Sequence, residues 1–268
     1  MLLLCFAYFK TSVSPISLFV VSITLSCVVD VFDAGDFDQD LLLPNEQAEV
    51  LFMKGNDLLR ADRVDEAIVT FQQVVRLNSN HGLAYANLGY AYTLSSRYPE
   101  AVAPLTQALR LLPNNAVINY NLGNVYLNLH CSEEAMKFLK TAIELDPNCV
   151  YAYDDLGNAL ANSGRYTEAI DAFAAALRLD PTSAVVYNNL GVVYYELRNL
   201  GKAQAYFVQA IQRDPKCARA HYNLGFLYLA RRDKSASLRE YMLLKQLHPE
   251  LAAKLFGVIY KDRLLSTR

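Results

Sequence analysis

The sequence predicts an all-α fold, a solenoid built from antiparallel pairs of helices. Glycine follows a 34-residue period and recurs at Gly55, Gly89, Gly123, Gly157, Gly191 and Gly225. Proline follows the same period, at Pro113, Pro147, Pro181, Pro215 and Pro249. No insertion interrupts six successive units. Because a fixed period of about 20–50 residues is typical of stacked repeats, we expect one continuous array.

Each unit contains two stretches with helical spacing. In the fourth unit, four residues from Tyr153 to Leu160 fall at positions i, i+3, i+4 and i+7 of one helix face. A second face runs from Ala169 to Leu177, and Pro181 ends it because a residue before proline avoids the α region. The short breaks between the helices require neighbouring helices to run antiparallel.

The period also sets the unit boundaries. We expect six repeats over residues 48–251, namely 48–81, 82–115, 116–149, 150–183, 184–217 and 218–251. Residues 252–268 should form a C-terminal capping helix and tail, because Leu255 and Ile259 share one face with Leu251. A solenoid needs such a polar-backed helix at its open end.

The pattern within each unit resembles the tetratricopeptide repeat (TPR). The fifth unit shows it in full, with Tyr187, Leu190, Gly191, Tyr194, Ala203, Phe207, Ala210 and Pro215. The resemblance implies a right-handed superhelix whose concave surface is lined mainly by the first helix of each unit. It also implies binding of a protein or peptide partner. Asn119 and His221 stand where the family usually has an aromatic residue, so those two first helices are expected to pack less tightly.

The N-terminus is a separate segment. From Thr11 to Val29 the chain carries no charge, and Lys10 precedes this apolar run. We interpret residues 1–29 as a signal peptide or membrane anchor, and residues 30–47 as an acidic linker. Three versions stay open: a cleaved secretory signal, a lipoprotein signal with lipidation at Cys27, and a retained anchor. They predict an exported or membrane-anchored protein, and a spurious leader would leave it cytoplasmic.

No catalytic, metal or cofactor site is expected. The histidines, His81, His130, His221 and His248, are far apart in the repeat frame, and no common catalytic motif occurs. A net charge of −2 gives no electrostatic footprint for nucleic acid. Cys131, Cys149 and Cys217 are too far apart in a solenoid for a disulfide. The oligomeric state is not predicted.

The concave groove is the predicted binding site. Its lining, carried over from the resemblance, comprises Asn87, Tyr90, Tyr120, Asn121, Asn124, Asp154, Asp155, Asn158, Asn188, Asn189, Tyr195, Tyr222 and Asn223. One asparagine recurs per unit, with Asp155 in its place in the fourth, and the series resembles the asparagine ladder of the O-linked N-acetylglucosamine transferase repeat arm. These amides would pair with the backbone of an extended peptide. The alternative is packing between helices.

These observations predict a non-enzymatic interaction scaffold. The groove has few basic residues, so it lacks the lysines and arginine with which family members clamp the C-terminal carboxylate of chaperones. Two alternatives remain. The chain is a substrate-recruiting subunit of an enzyme complex, such as the arm of a glycosyltransferase, or it is a cytosolic adaptor with a spurious leader.

Overall fold

The computed structural model describes residues 43–265, with side chains described as far as residue 260. Within this part of the chain every regular element is an α-helix, and there are thirteen. In order they are α1 (Pro44–Arg60), α2 (Val64–Leu77), α3 (Gly82–Leu94), α4 (Tyr98–Leu111), α5 (Ala116–Asn128), α6 (Ser132–Leu145), α7 (Val150–Asn162), α8 (Tyr166–Leu179), α9 (Ala184–Glu196), α10 (Leu200–Arg213), α11 (Ala218–Ala230), α12 (Lys234–Leu247) and α13 (Pro249–Leu265).

The helices form six pairs followed by a single helix, and each pair contacts the next. This arrangement confirms the predicted all-α solenoid. Helix α1 begins at Pro44, four residues before the expected start of the first repeat, and α13 begins at Pro249, inside the range expected for the sixth. The expected leader, Cys27 and residues 30–42 of the expected acidic linker lie outside the described residues, whereas residues 44–47 of that linker belong to α1. No helix between residues 43 and 265 has both the length and the apolar character to cross a membrane.

The periodic glycine lets the two helices of a repeat come close together. A Cβ atom placed on Gly157 would lie 2.6 Å from Cε1 of Phe173, on the second helix of the same repeat. The same relationship joins Gly55 to Phe71, Gly89 to Leu105, Gly123 to Leu139, and Gly191 to Phe207. These large side chains are fully buried, so each fills the space that the glycine leaves open.

The turn inside each repeat contains one residue with a left-handed backbone. In the third repeat it is His130, with a φ of 60°. Its N–H donates to the carbonyl of Leu127, and the N–H of Cys131 donates to the carbonyl of Tyr126. This pair of bonds is the Schellman motif that closes a helix end. The equivalent residues are Asp62, Ser96, Gly164, Arg198 and Arg232.

The sixth repeat is packed differently because α13 takes part in it. A Cβ atom on Gly225 would lie 2.7 Å from Cδ2 of Leu255, a residue of α13. Tyr241, the sixth-repeat counterpart of Phe173, instead packs against Phe256 with ring centroids 5.4 Å apart. Helix α13 therefore contacts both α11 and α12, and its apolar face is buried against the last repeat.

Asn119 and His221 are buried, with exposed fractions of 2% and 5%. The Asn119 amide donates to the carbonyl of Asn115, one turn earlier, at 2.9 Å. His221 Nδ1 lies 2.7 Å from Glu240 Oε2, and its Nε2 lies 3.1 Å from the carbonyl of Pro215. Both polar side chains are therefore buried together with hydrogen-bond partners.

Candidate functional site

Polar side chains join the first helices of successive repeats. Asn124 on α5 donates to Asp155 on α7 at 2.9 Å, and Asn189 on α9 donates to Asp154 on α7 at 2.9 Å. Asn223 on α11 donates to Asn188 on α9 at 2.8 Å. We call these six residues, Asn124, Asp154, Asp155, Asn188, Asn189 and Asn223, the amide network.

The donors of the amide network point towards the two aspartates from both sides. From the C-terminal side, Asn223 donates to Asn188, Asn188 donates to Asn189 at 3.3 Å, and Asn189 donates to Asp154. From the N-terminal side, Asn128 donates to Asn124 Oδ1 at 3.3 Å, and Asn124 donates to Asp155. Because an ionised carboxylate only accepts hydrogen bonds, the aspartate pair terminates both chains.

The hydrogen-bonded side chains on neighbouring first helices are either 31 or 35 residues apart in the sequence. Asn87 donates to Asn56 at 2.6 Å across 31 residues, and Asn124 and Asp155 have the same separation. The bonds of Asn189 and Asn223 span 35 residues. The two spacings differ by four residues, about one helical turn. The ladder residue of a repeat therefore contacts one of two successive turns of the preceding first helix.

Asn121 is the exception in the ladder. Its amide makes no hydrogen bond with another described residue and is half-buried. The residues 31 and 35 positions before it are Tyr90 and Ala86, and alanine offers no side-chain acceptor. Among the predicted ladder residues, Asn121 is thus the one whose amide remains available to a ligand.

Asp154 and Asp155 sit in an unusual electrostatic setting. Burial raises the pKa of Asp154 to about 6, while the hydrogen bond from Asn189 opposes the rise and the charge of Asp155 adds to it. Burial also raises the pKa of Asp155, against hydrogen bonds from Asn124, Tyr120 and Asn158. No ion pair within the described side chains joins either aspartate to a cation. Amides and a phenol therefore offset only part of the cost of burying the two carboxylates.

An apolar cavity of about 210 Å³ opens between α9 and α11. Tyr195 and Phe226 meet edge to face in it, with ring centroids 5.9 Å apart. Val192 and Phe226 are exposed at 37% and 36%, although their neighbours in the helices are buried. The remaining lining consists of Glu196, Phe207, Tyr222 and Asn223.

The structure separates the predicted groove residues into three groups. Asn87, Asn124, Asn189 and Asn223 hold neighbouring first helices together, which supports the packing alternative for them. Asn188 is only 4% exposed and accepts from Asn223 of the next repeat, so it offers little surface to a ligand. The half-buried residues Tyr90, Tyr120, Asn121, Asp154, Asp155, Asn158, Tyr195 and Tyr222 remain candidates for contact with a partner.

Some contributors were missing from the predicted site. Asn56 accepts from Asn87, and Glu196 lies at the cavity. Asn56 occupies the same place in its repeat as Asn124, a recurrence that the 34-residue frame contains. In the described part of the chain, no group of histidine, cysteine and acidic side chains is arranged to hold a metal ion. No disulfide joins the three described cysteines to one another.

Comparison with known proteins agrees with the repeat geometry. Tetratricopeptide repeat profiles match residues 52–116, and residues 116–149 and 184–217. A TPR repeat profile matches residues 157–197. No curated protein matches the sequence significantly.

Several solved structures share the fold. YrrB, described as a TPR protein with an unusual peptide-binding site, is 30% identical and has a TM-score of 0.56. The match covers 63% of this chain and 88% of YrrB. PilW, a type IV pilus biogenesis factor, has a TM-score of 0.70 at 19% identity, covering 79% of this chain and 99% of its own. Pseudomonas aeruginosa PilF has a TM-score of 0.65 at 20% identity, and the match covers 83% of this chain and 99% of PilF.

At their level of identity, PilW and PilF show a likeness of fold alone. The family assignment rests on the profiles, on the identity with YrrB and on six helix pairs that carry the repeat pattern. The chain belongs to the tetratricopeptide repeat family.

Proposed function

We propose that the chain is a non-enzymatic scaffold that holds an extended peptide segment of a partner protein in its concave groove. The observation that carries this proposal is the side-by-side arrangement of first helices, in which Asn121 is half-buried and Asn223, at the same place in the sixth repeat, lines an apolar cavity. TPR folds serve as protein-interaction surfaces, and the related YrrB is described as having a peptide-binding site. A polar groove with one apolar cavity suits a segment that offers both backbone groups and side chains.

A peptide-selection experiment tests this proposal. A random-peptide display library is selected on the full chain, and affinities of the enriched peptides are measured by fluorescence anisotropy. Asn121→Ala and Tyr195→Ala should each weaken binding, because both change the groove. Gln209→Ala is the matched control, since Gln209 is exposed on the second helix α10 and should leave binding unchanged. Equal affinity of all four proteins for every enriched peptide would contradict the proposal.

The second candidate is a substrate-recruiting subunit of an enzyme complex. Its support is the same groove together with the resemblance of the asparagine series to the arm of a glycosyltransferase. It differs from the first candidate in one measurable respect, because the native chain would co-purify with a catalytic activity. Recovery of the chain with non-catalytic partners alone would favour the simple scaffold.

We also propose that the scaffold is exported or attached to a membrane by residues 1–29. The support is the uncharged run from Thr11 to Val29 behind Lys10, with Cys27 following small and apolar residues. N-terminal sequencing of the mature protein tests it. A start at Cys27 would establish lipoprotein-type processing, and an intact start on a protein that fractionates away from membranes would show that the leader is spurious.

A further inference from the structure

The apolar cavity between α9 and α11 has the size of a side-chain pocket. At about 210 Å³ it is smaller than the roughly 300–1,000 Å³ of small-molecule sites. Its open walls are Val192, Tyr195 and Phe226, and the rings of Tyr195 and Phe226 hold each other edge to face. Because these exposed apolar groups would gain from being covered, the cavity suits one large apolar or aromatic side chain.

Three carboxylates lie at the cavity or on a nearby first helix. Glu196 lies at the cavity, and Asp154 and Asp155 lie on α7, joined to α9 through Asn189. No ion pair among the described side chains involves these three carboxylates. Asp154 and Asp155 are half-buried and have only neutral donors, so each would be stabilised by a cation supplied from outside. The complementary partner is therefore positively charged at this point.

The distance between the aspartate pair and the cavity sets the spacing between a cationic and an apolar residue of the partner. Neighbouring helices pack about 8–10 Å apart, and the cavity is about one and a half helix intervals from α7. The resulting distance of roughly 12–15 Å is spanned by about four residues of extended chain at ~3.3 Å per residue.

We propose that the C-terminal half of the groove selects an extended partner peptide with a lysine or arginine about four residues from a large apolar side chain. The cationic group meets Asp154 and Asp155, and the apolar side chain enters the cavity between α9 and α11. This inference rests on the groove binding proposed above, and it adds the chemical class of the partner.

The test compares selected and designed peptides on the full chain. Enriched peptides from the random library should share a basic residue about four positions from an aromatic, leucine or methionine residue. In a designed peptide with this motif, replacing the basic residue by alanine or the apolar residue by alanine should each lower the affinity roughly tenfold. Replacing the basic residue by glutamate should lower it further.

Variants of the chain assign each end of the peptide. Asp154→Asn should weaken the basic peptide roughly tenfold and leave its lysine-to-alanine version unchanged. Phe226→Ala should weaken binding of the peptide with the apolar residue roughly tenfold and leave binding of the version with alanine at that position unchanged. Glu144→Gln is the matched control, because Glu144 is an exposed carboxylate on the second helix α6. Asp155→Asn offers a second charge-removing variant if Asp154→Asn folds poorly.

The outcomes separate this inference from the proposed function. Enriched peptides that lack the motif but are lost in Asn121→Ala would overturn the inference and leave groove binding in place. A library that yields no binder would overturn both. A dimer of the chain that Val192→Lys dissociates would make a second copy the occupant, and would also overturn the inference.

Discussion

His221 Nδ1 lies 2.7 Å from Glu240 Oε2, so a buried histidine and a partly buried glutamate link α11 to α12 at a place where the second, fourth and fifth repeats have a tyrosine. The hydrogen bond that His221 donates to the Glu240 carboxylate raises the pKa of His221, although burial opposes the rise. The protonated pair therefore favours folding at low pH. This stabilisation is complete below the ordinary histidine pKa of 6.5 and is lost as the pH rises through the higher value in the folded protein.

We expect Glu240→Gln to flatten this pH dependence. At pH 6 the substitution should lower the free energy of unfolding by about 1–3 kcal/mol, because a charge-assisted hydrogen bond becomes a neutral one. The difference from the wild type should shrink as the pH rises towards 9. Urea unfolding at several pH values measures it, with Glu144→Gln as the control on an exposed carboxylate. A difference that stays constant with pH would show that the histidine is not charged in the folded protein.

Gly157→Ala should destabilise the array. The new Cβ would overlap the ring of Phe173, and crowding a filled core typically costs about 1–3 kcal/mol. The matched control is Gly257→Ala on α13, where a Cβ would meet nothing within 4 Å. That change should stabilise by about 0.5–1 kcal/mol, because alanine favours helix more than glycine does. Thermal unfolding of both variants should shift in opposite directions, and equal shifts would disprove the close-packing role.

Asn56 and Asn87 should be energetically coupled. Their hydrogen bond of 2.6 Å joins the first two repeats, so a double-mutant cycle with alanine at each position should give a coupling of about 0.5–1.5 kcal/mol. Asn87 and Asn223 form the control pair, because three repeats lie between the repeats that contain them. The effects of their two alanine substitutions on the free energy of unfolding should add within ~0.5 kcal/mol. A coupling of the first pair no larger than that of the control would mean that the bond adds nothing to stability.

Asp154→Asn should stabilise the protein at neutral pH. The pKa of Asp154 rises from 3.8 to about 6 on folding, so the ionised carboxylate opposes folding above pH 6. Asparagine can still accept from Asn189 without that cost, and a gain of about 1–3 kcal/mol is expected at pH 7.5. The gain should fade as the pH is lowered through 6 towards 4. Urea unfolding measures it, with exposed Asp171→Asn as the control, and a variant less stable than the wild type at pH 7.5 would contradict it.

This last prediction bears on function. A carboxylate that lowers stability at neutral pH is a residue that selection for folding alone would not favour. If Asp154→Asn is both more stable and weaker in peptide binding, the charge at Asp154 serves recognition at the expense of stability.

The fold followed almost completely from the repeat frame, because Gly157 and Phe173 pack within one unit, where a single period fixes which residues meet. The amide network did not follow from it. Whether a ladder residue contacts the turn 31 or 35 residues earlier depends on how neighbouring repeats are stacked, and a 34-residue period contains no information on that offset. Asn87 and Asn189 hold the same place in their repeats, yet Asn87 contacts the residue 31 positions earlier and Asn189 contacts the residue 35 positions earlier.

The hydrogen-bond partners of the two polar residues in the aromatic slot could not be predicted, for a related reason. Asn119 is satisfied by a carbonyl of its own helix, whereas His221 depends on Glu240 of the second helix and on the carbonyl of Pro215. Burial of a polar group depends on hydrogen-bond partners that are specific to each repeat. The family pattern does not contain those partners.

The last helix departs from the repeat pattern at one position. One period after Gly225 the chain has Ile259, which is buried in one cluster with Leu255 and Leu244. In the first five repeats this place is a glycine, against which a large side chain of the second helix packs directly. Because Ile259 has a branched side chain there, a helix could not approach this side of α13 as closely as α8 approaches α7.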